Sequence, residues 1–133
     1  MALLGTFGYE LDITKLSDGE KKLVKKQVEH YHRYNDLIRE GDYYRIASVS
    51  ENGYYDSWMI LSGDKKKALL FYVQVRARAN GKSRFIRLKG LEPERDYCVD
   101  GKVYSGQVLM KAGLRIPAEF GDFKSRILEV EAV

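Results

Sequence analysis

The sequence is poor in the residues that hold many small secreted or metal-bound domains together. Among its 133 residues there are one cysteine, Cys98, and two histidines, so no internal disulfide can form. The chain has no Asn-x-Ser/Thr acceptor site and no apolar run near the roughly 20 residues of a membrane helix. Its first apolar residues also lack the basic start and the long apolar stretch of an export signal. These absences predict a cytoplasmic protein with no membrane partner.

The sequence also lacks the residue patterns of metal, nucleotide and nucleophile sites. His30 and His32 lie two residues apart on a predicted helix, so their side chains point roughly 200° apart and cannot share a metal. Cys98 lies in an apolar strand, which favours a small core residue over a reactive thiolate. The glycines of residues 5–8 are not followed by the Lys-Ser/Thr of a phosphate loop. We therefore predict no metal and no cofactor.

With 19 acidic residues, some carboxylates must lie close together, so a pair alone is weak evidence for sugar hydrolysis. A retaining glycosidase needs two carboxyl groups about 5 Å apart across the bond it breaks. The most suggestive candidates are four aspartates at element boundaries, Asp12, Asp42, Asp56 and Asp122. Aspartate is favoured at boundaries because it hydrogen-bonds local backbone, so we interpret all four as capping or turn residues. No catalytic residue is predicted.

Positive charge is unevenly distributed. The net charge is +4, yet residues 65–91 hold nine Lys and Arg and no acid. Such a stretch fits either a surface for an anionic partner or a solvated hairpin face whose neighbours supply the acids. Because no DNA- or RNA-binding motif accompanies it, we favour the solvated face and predict no nucleic-acid partner.

The first 41 residues read as one strand and one helix. Residues 1–13 are apolar with two glycines, like a buried strand, and Ser17 with Glu20 forms a capping-box pattern that starts an amphipathic helix. Gly41 is the predicted left-handed cap at its end. About 22 residues give a helix of roughly 33 Å. One βα unit has no parallel partner strand, so we expect the chain to begin inside a larger α/β structure.

After Gly41 the pattern changes to short strands separated by turns. Asn52-Gly53 and Asp100-Gly101 mark turns, and Asn80-Gly81 predicts a hairpin that returns through residues 84–88. The strand around Trp58 is apolar on both faces, which predicts a central, doubly covered position. A short helix is expected over residues 106–112. Six to eight strands at this spacing predict an antiparallel Greek-key β-sandwich.

Ten tyrosines and Trp58 bring the aromatic fraction to 12%. Aromatic faces bind sugars well, so a carbohydrate-binding module is an alternative function. Trp58 lies in the most apolar strand, however, where a core role is favoured. A regulatory or nucleic-acid role for the basic stretch is a further alternative.

Short motifs in a fixed order resemble family 36 α-galactosidases over essentially all 133 residues. Each motif is weak alone, and their order carries the resemblance. They are Gly5-Thr6-Phe7-Gly8-Tyr9-Glu10-Leu11-Asp12, Leu16-Ser17, Gly41-Asp42-Tyr43-Tyr44-Arg45, Trp58-Met59, Leu88-Lys89-Gly90-Leu91, Tyr97, Asp100-Gly101, Tyr104-Ser105-Gly106, Gly113-Leu114 and Gly121-Asp122-Phe123.

This resemblance implies enzymes with an N-terminal β domain, a central (β/α)8 barrel and a C-terminal antiparallel sandwich. They remove terminal α-linked galactose with retention, using two aspartates on earlier barrel strands. No residue of this chain matches either catalytic motif. The resemblance therefore implies a mainly β chain in which residues 1–41 are the final strand and helix of a truncated barrel and residues 42–133 are the C-terminal sandwich.

The expected function is that of a non-catalytic domain supporting the barrel of a cytoplasmic α-galactosidase. Its expected partners are the missing catalytic barrel of the same polypeptide and, through the exposed barrel remnant, further copies of the chain. Without the barrel, residues 1–13 have no strand to pair with, so we expect them to be disordered or paired with another copy.

Overall fold

The computed structural model describes residues 4, 5 and 7–133. The chain divides into two compact units, Met1–Gly41 and Asp42–Val133. Part of the strand predicted over residues 1–13 falls on Met1, Ala2, Leu3 and Thr6, which lie outside the described residues. The remainder of that segment, as far as it is described, contains no strand and ends in a 3-10 turn over Ile13–Lys15. A strand needs a neighbour for its backbone hydrogen bonds, and the described residues of this unit offer none.

The first unit is dominated by one helix, α1, over Asp18–Glu40. The predicted capping box is present: Glu20 N donates to Ser17 Oγ at 3.3 Å, and Ser17 N donates to Glu20 Oε2 at 2.8 Å. The prediction of a left-handed Gly41 is wrong, because Gly41 is extended with φ −81° and ψ 160°. Its N–H still closes the last turn onto Leu37 O at 2.9 Å, and the extended backbone leads directly into the first strand.

The second unit holds eight strands and two short helices. In chain order they are β1 (Asp42–Ala47), α2 (Val49–Asn52), β2 (Tyr55–Leu61), β3 (Lys67–Gln74), β4 (Arg84–Ile86), β5 (Asp96–Val99), β6 (Lys102–Ser105), α3 (Gly106–Lys111), β7 (Leu114–Ile116) and β8 (Lys124–Ala132). A six-stranded sheet has the order β1-β2-β3-β8-β5-β6, and β4 pairs with β7 in a second sheet. All pairings are antiparallel. The predicted mainly β, antiparallel sandwich with one long helix is confirmed.

The core of this unit lies between the two sheets. Alternate residues of the large sheet, such as Met59 on β2, Leu70 on β3 and Val130 on β8, form one buried cluster with Ile86, Ile116 and Leu109 of the second sheet and α3. Side chains alternate between faces along a strand, so Trp58 and Phe71 lie on the opposite face. They are buried as well. Strand β2 is therefore covered on both faces, as its apolar run predicts.

The hairpin predicted at Asn80-Gly81 is not formed. Strand β3 pairs with β2 along one edge and with β8 along the other, so no edge remains for the returning chain. The chain crosses to the second sheet instead, where β4 pairs with β7 from Arg84↔Ile116 to Ile86↔Leu114. Asn80 does take the left-handed conformation, with φ +56°, but the turn serves a connection between sheets.

Candidate functional site

Three of the four candidate aspartates accept hydrogen bonds from backbone N–H groups. Asp12 Oδ1 accepts from Thr14 N at 3.0 Å, Asp56 Oδ1 from Val49 N at 2.8 Å and Asp122 Oδ1 from Ala77 N at 2.7 Å. The hydroxyl of Thr14, followed by its N–H, lowers the pKa of the exposed Asp12 carboxyl. Asp42 begins β1 opposite Leu61. Local chemistry thus accounts for Asp12, at the adjoining turn, and for Asp56, at the start of α2. The capping or turn interpretation does not describe Asp122, because its partner Ala77 lies 45 residues earlier in the chain.

The histidines and the cysteine also have structural surroundings. On α1, the His30 ring lies 6.1 Å from that of Tyr34 and the His32 ring 5.7 Å from that of Tyr31. Cys98 is half-buried in β5 with a free thiol. Within residues 4, 5 and 7–133, no group of three His, Cys, Asp or Glu side chains is placed to hold a metal ion.

Trp58 belongs to an aromatic stack in the large sheet. Its ring lies 5.3 Å from that of Phe71 on the neighbouring strand, with an interplanar angle of 10°, and the two residues are paired in register. The indole N–H is buried and has no hydrogen-bond partner in the described part of the chain. Because the ring is covered, it is not a free platform for sugar.

The basic stretch of residues 65–91 is divided between the two ends of the large sheet. Lys65 and Lys66 lie in the turn before β3, whereas Arg76, Arg78, Lys82 and Arg84 follow that strand or begin β4. The eight residues of β3 separate these groups by roughly 26 Å. Lys67 pairs with Glu131 at 4.0 Å. The stretch therefore does not form one continuous basic surface.

Two arginines of the group after β3 contact aromatic rings of the preceding segment. The guanidinium carbon of Arg84 lies 4.6 Å from the ring centroid of Tyr55 and 5.6 Å from that of Tyr54. The guanidinium of Arg78 lies 5.2 Å from the same Tyr54 ring. Two cations thus share one aromatic ring, and each is held within cation–π distance.

Residues 78–84 line an open cavity of about 460 Å³. Gly81 N donates to Arg78 O at 3.0 Å, which closes the turn. From β7, Arg115 Nε donates to Ser83 Oγ at 3.1 Å and braces the loop. No ion pair of Arg78, Lys82 or Arg84 occurs among the described residues. We call these seven residues the arginine loop.

A second loop, residues 117–123, lies beside the arginine loop. Buried Gln74 donates from Nε2 to Glu119 O at 3.0 Å and to Gly121 O at 2.9 Å. A small gap between the loops is lined by residues of both, including Arg78, Arg84 and Glu119. Glu119 Oε2 is buried with no hydrogen-bond partner in the described chain. Phe120 and Phe123 project from this loop with 94% and 79% of their surface exposed.

Burial raises the pKa of Tyr72, whose side chain lines the same gap, and the nearby Arg84 guanidinium opposes that rise. Tyr72 therefore stays a neutral phenol that can donate or accept a hydrogen bond. The arrangement offers two guanidinium groups and an ammonium that have no ion pair among the described residues, together with hydroxyls. It can bind negatively charged groups, but it has no opposed carboxylates for sugar hydrolysis.

The sequence alone does not predict this site. Residues 65–91 form one basic stretch in the sequence, whereas the fold divides them and adds Tyr54 and Tyr55 from the preceding segment. The spacing Arg78-x5-Arg84, placed after a strand with no acid nearby, was the available signal. The tyrosines could not be assigned to it, because their contact depends on the pairing of β2 with β3.

Comparison with protein families gives two matches. The family described as "Glycosyl hydrolase family 36 C-terminal domain" matches residues 55–130, and the family described as "Melibiase" matches residues 1–41. No helix in the described part of the chain is long and apolar enough to cross a membrane.

Curated relatives and solved structures agree with these matches. The chain is 42% identical over 134 residues to alpha-galactosidase AgaA of Geobacillus stearothermophilus, covering 100% of this chain and 18% of that protein. It is 39% identical over 118 residues to the bifunctional alpha-galactosidase/sucrose kinase AgaSK of Mediterraneibacter gnavus, covering 87% and 12%. The crystal structure of alpha-galactosidase AgaB from G. stearothermophilus superimposes with a TM-score of 0.91 at 44% identity, covering 99% of this chain and 18% of that one. The chain thus spans less than a fifth of the length of the curated relatives it matches.

Proposed function

Because this chain belongs to glycoside hydrolase family 36 and contains its C-terminal domain, we propose that it serves as a non-catalytic part of an α-galactosidase. The enzyme as a whole would remove terminal α-linked galactose with retention of configuration. The observation that supports the proposal is the set of hydrogen bonds that the candidate aspartates accept. Asp12, Asp56 and Asp122 each accept a backbone N–H, and hydrolysis requires a separate pair facing the sugar.

We assign residues 1–41 to the final strand and helix of the catalytic barrel. The match of the Melibiase family to these residues supports the assignment. Large apolar side chains support it too, since Leu11, Ile13 and Leu23 are between 48% and 59% exposed. Burying such side chains is favourable by about 25 cal/mol per Å² of apolar surface. They would be covered in a complete barrel.

The second unit would support the barrel through the large sheet. Tyr43, Ile127 and Val103 are exposed, and register places all three on the face of Trp58 and Phe71, opposite the core. An apolar sheet face with exposed members favours contact with another protein surface. The partner we propose is the catalytic barrel of the same polypeptide, with contacts between copies as an additional role.

Two assays test this function. The purified chain is expected to leave a nitrophenyl α-galactoside unhydrolysed. A hybrid in which this chain replaces the matching 18% of G. stearothermophilus AgaA is expected to hydrolyse it. Turnover by the chain alone that persists through purification would contradict a non-catalytic role.

The hybrid also tests the sheet face. Ile127→Lys should lower the yield of folded, active hybrid, because it places a charge in the proposed contact. Val108→Lys is the matched control, since Val108 is similarly exposed on α3. Equal loss in both variants would count against the sheet face as the contact.

A carbohydrate-binding module is the second candidate function. The exposure of Phe120 and Phe123 favours it, because aromatic faces stack on sugars. Titration with galactose, raffinose and polysaccharides would show saturable shifts at these residues if the module binds sugar. A nucleic-acid role is less well supported, because the basic stretch is divided between the two ends of the sheet.

We also propose a cytoplasmic location. Its support is the single cysteine, Cys98, whose thiol is free, in a chain with no internal disulfide. Fractionation of the producing cells, followed by antibody detection of the chain, tests it.

A further inference from the structure

We propose that the arginine loop is a binding site for an oxyanion, namely a phosphate, sulfate or carboxylate group held between Arg78, Lys82 and Arg84. The site is separate from the proposed function and does not depend on it. Its ligand is either a free inorganic anion or the anionic group of a sugar acid, because both present the same oxygens.

The first argument is charge. Arg78, Lys82 and Arg84 line one cavity, and none has an ion pair among the described residues. Two guanidinium groups within 5.6 Å of the same tyrosine ring repel each other. An anion that contacts both groups reduces that repulsion and accepts hydrogen bonds from them.

The second argument is orientation. Arg84 is half-buried and lies over both Tyr54 and Tyr55, so its guanidinium is held before any ligand arrives. A planar guanidinium donates two parallel hydrogen bonds to a phosphate or carboxylate. Holding it in place lowers the entropy lost on binding. Chloride has no pair of oxygens to accept these two parallel hydrogen bonds, so it is a suitable control anion.

The third argument is the supply of neutral donors. Ser83 Oγ accepts the Arg115 Nε hydrogen bond at 3.1 Å, so the hydroxyl proton of Ser83 remains available to donate. Asn80 lines the same cavity with a side-chain amide. The cavity volume of about 460 Å³ falls within the range of small-ligand sites. It can therefore admit an anionic group with a sugar attached.

The carboxylates near the arginine loop are fewer than its basic groups. Glu119 lines the adjoining gap, but its Oε1 accepts two hydrogen bonds from Arg126. Asp122 accepts from Ala77 N and Asp56 from Val49 N, and both keep their negative charge. With Arg115 and Arg126 included, positive groups around the loop outnumber negative ones.

The test is a titration of the complete chain followed by NMR, at constant ionic strength set with chloride. Inorganic phosphate and galacturonate are the anionic probes, and galactose is the uncharged match for galacturonate. Saturable shifts of the amides of Asn80, Gly81 and Ser83 are expected with phosphate. Shifts with galacturonate as well would identify the group of a sugar acid as an accepted source, and phosphate alone would identify the free anion.

Variants make the test specific. Arg78→Gln with Lys82→Gln should weaken phosphate binding at least tenfold. Lys102→Gln with Lys111→Gln removes the same charge from exposed positions elsewhere and should leave binding unchanged. Because Arg84 contacts two tyrosines, Arg84→Gln is used only if its amide spectrum remains that of the folded chain.

Three results would overturn the proposal. One is a response to chloride equal to that to phosphate, and another is a linear response spread over all basic residues. Binding of galactose as strong as that of galacturonate would also overturn it, because the site would then recognise a sugar and not its charge.

Discussion

Arg126 on β8 donates two hydrogen bonds to one oxygen of Glu119, from Nη2 at 2.6 Å and from Nε at 3.2 Å. This hydrogen bonding raises the pKa of Arg126 above its ordinary value. Glu119 belongs to the loop that also carries Phe120 and Phe123, and Gln74 holds the backbone of that loop from β3. Two strands of the large sheet therefore fix a loop that exposes two aromatic side chains.

Removing the guanidinium of Arg126 should destabilise the loop that carries Glu119. Arg126→Met keeps the aliphatic length but leaves the Glu119 carboxylate without its donor, so we expect a loss of about 1–2 kcal/mol in the free energy of unfolding. The value allows for solvent screening, since the side chains are 33% and 28% exposed. Urea unfolding measures the loss.

The control for this pair is Lys124→Met, which removes a positive charge from the same strand at an exposed position. It should change stability by less than about 0.5 kcal/mol. Glu119→Gln combined with Arg126→Met should cost less than the sum of the single changes, because the two groups interact. Additive losses would show that the pair contributes no coupling.

Tyr97 connects three segments of the sandwich through one buried hydroxyl. Its side chain is 0% exposed, its hydroxyl donates to Lys65 O at 3.0 Å, and it accepts from Glu92 N at 3.1 Å. Tyr97→Phe leaves both partners without this bond, so we expect a loss of about 1–3 kcal/mol. Tyr104→Phe, at a half-buried position in the neighbouring strand β6, should cost less. Thermal unfolding of both variants would decide, and an equal loss would contradict the assigned role of the hydroxyl.

The sequence predicts the elements of this chain better than their pairing. The capping box of Ser17 and Glu20, the turn at Asp100-Gly101 and the doubly covered strand of Trp58 each depend on local residue chemistry. All three are present. The predicted hairpin at Asn80-Gly81 is not formed, because it would need a free edge of β3. Strand β8, some 50 residues later in the chain, occupies one of those edges.

In the candidate site, too, the sequence predicts local contacts better than contacts between distant segments. The capping interpretation agrees with the contacts of Asp12 and Asp56, whose partners lie two and seven residues away. It is wrong for Asp122, because the fold brings in Ala77 from 45 residues earlier in the chain. The arginine loop was not predicted, because Tyr54 and Tyr55 reach Arg84 only through a crossing between sheets. The prediction of a left-handed Gly41 failed for a local reason. The next residue already begins a strand, so the backbone at Gly41 must be extended.

Gly106 permits a close approach between the start of α3 and the segment before β5. A Cβ at this position would overlap with Glu92 O and would lie 3.1 Å from a ring carbon of Tyr97. Gly106→Ala must therefore move backbone, and we expect a loss of about 3 kcal/mol. Gly19→Ala is the matched control, since nothing lies within 4 Å of its Cβ and alanine favours helix by up to about 1 kcal/mol. Thermal unfolding should show a lower melting temperature for Gly106→Ala and a higher one for Gly19→Ala. An unchanged melting temperature for Gly106→Ala would contradict the close approach.

The turn between β2 and β3 should make stability depend on acid pH through Asp64. The Ser62 hydroxyl donates to Asp64 Oδ1 at 2.7 Å, and Lys66 N donates to the same oxygen at 3.0 Å. The hydroxyl first, and then the backbone N–H, lower the pKa of this exposed carboxyl below its ordinary value of 3.8.

A pKa that is lower in the folded chain means that the unfolded chain binds the proton more readily. The stabilisation is therefore fully present above the ordinary pKa and disappears as the pH falls through the lowered one. Asp64→Asn removes the ionisation, so its stability should fall less steeply than that of the unaltered chain below about pH 4. Urea midpoints measured from neutral pH down to about pH 2.5 test this, with Asp18→Asn on α1 as the comparison. Parallel curves for the unaltered chain and Asp64→Asn would contradict the role of Asp64.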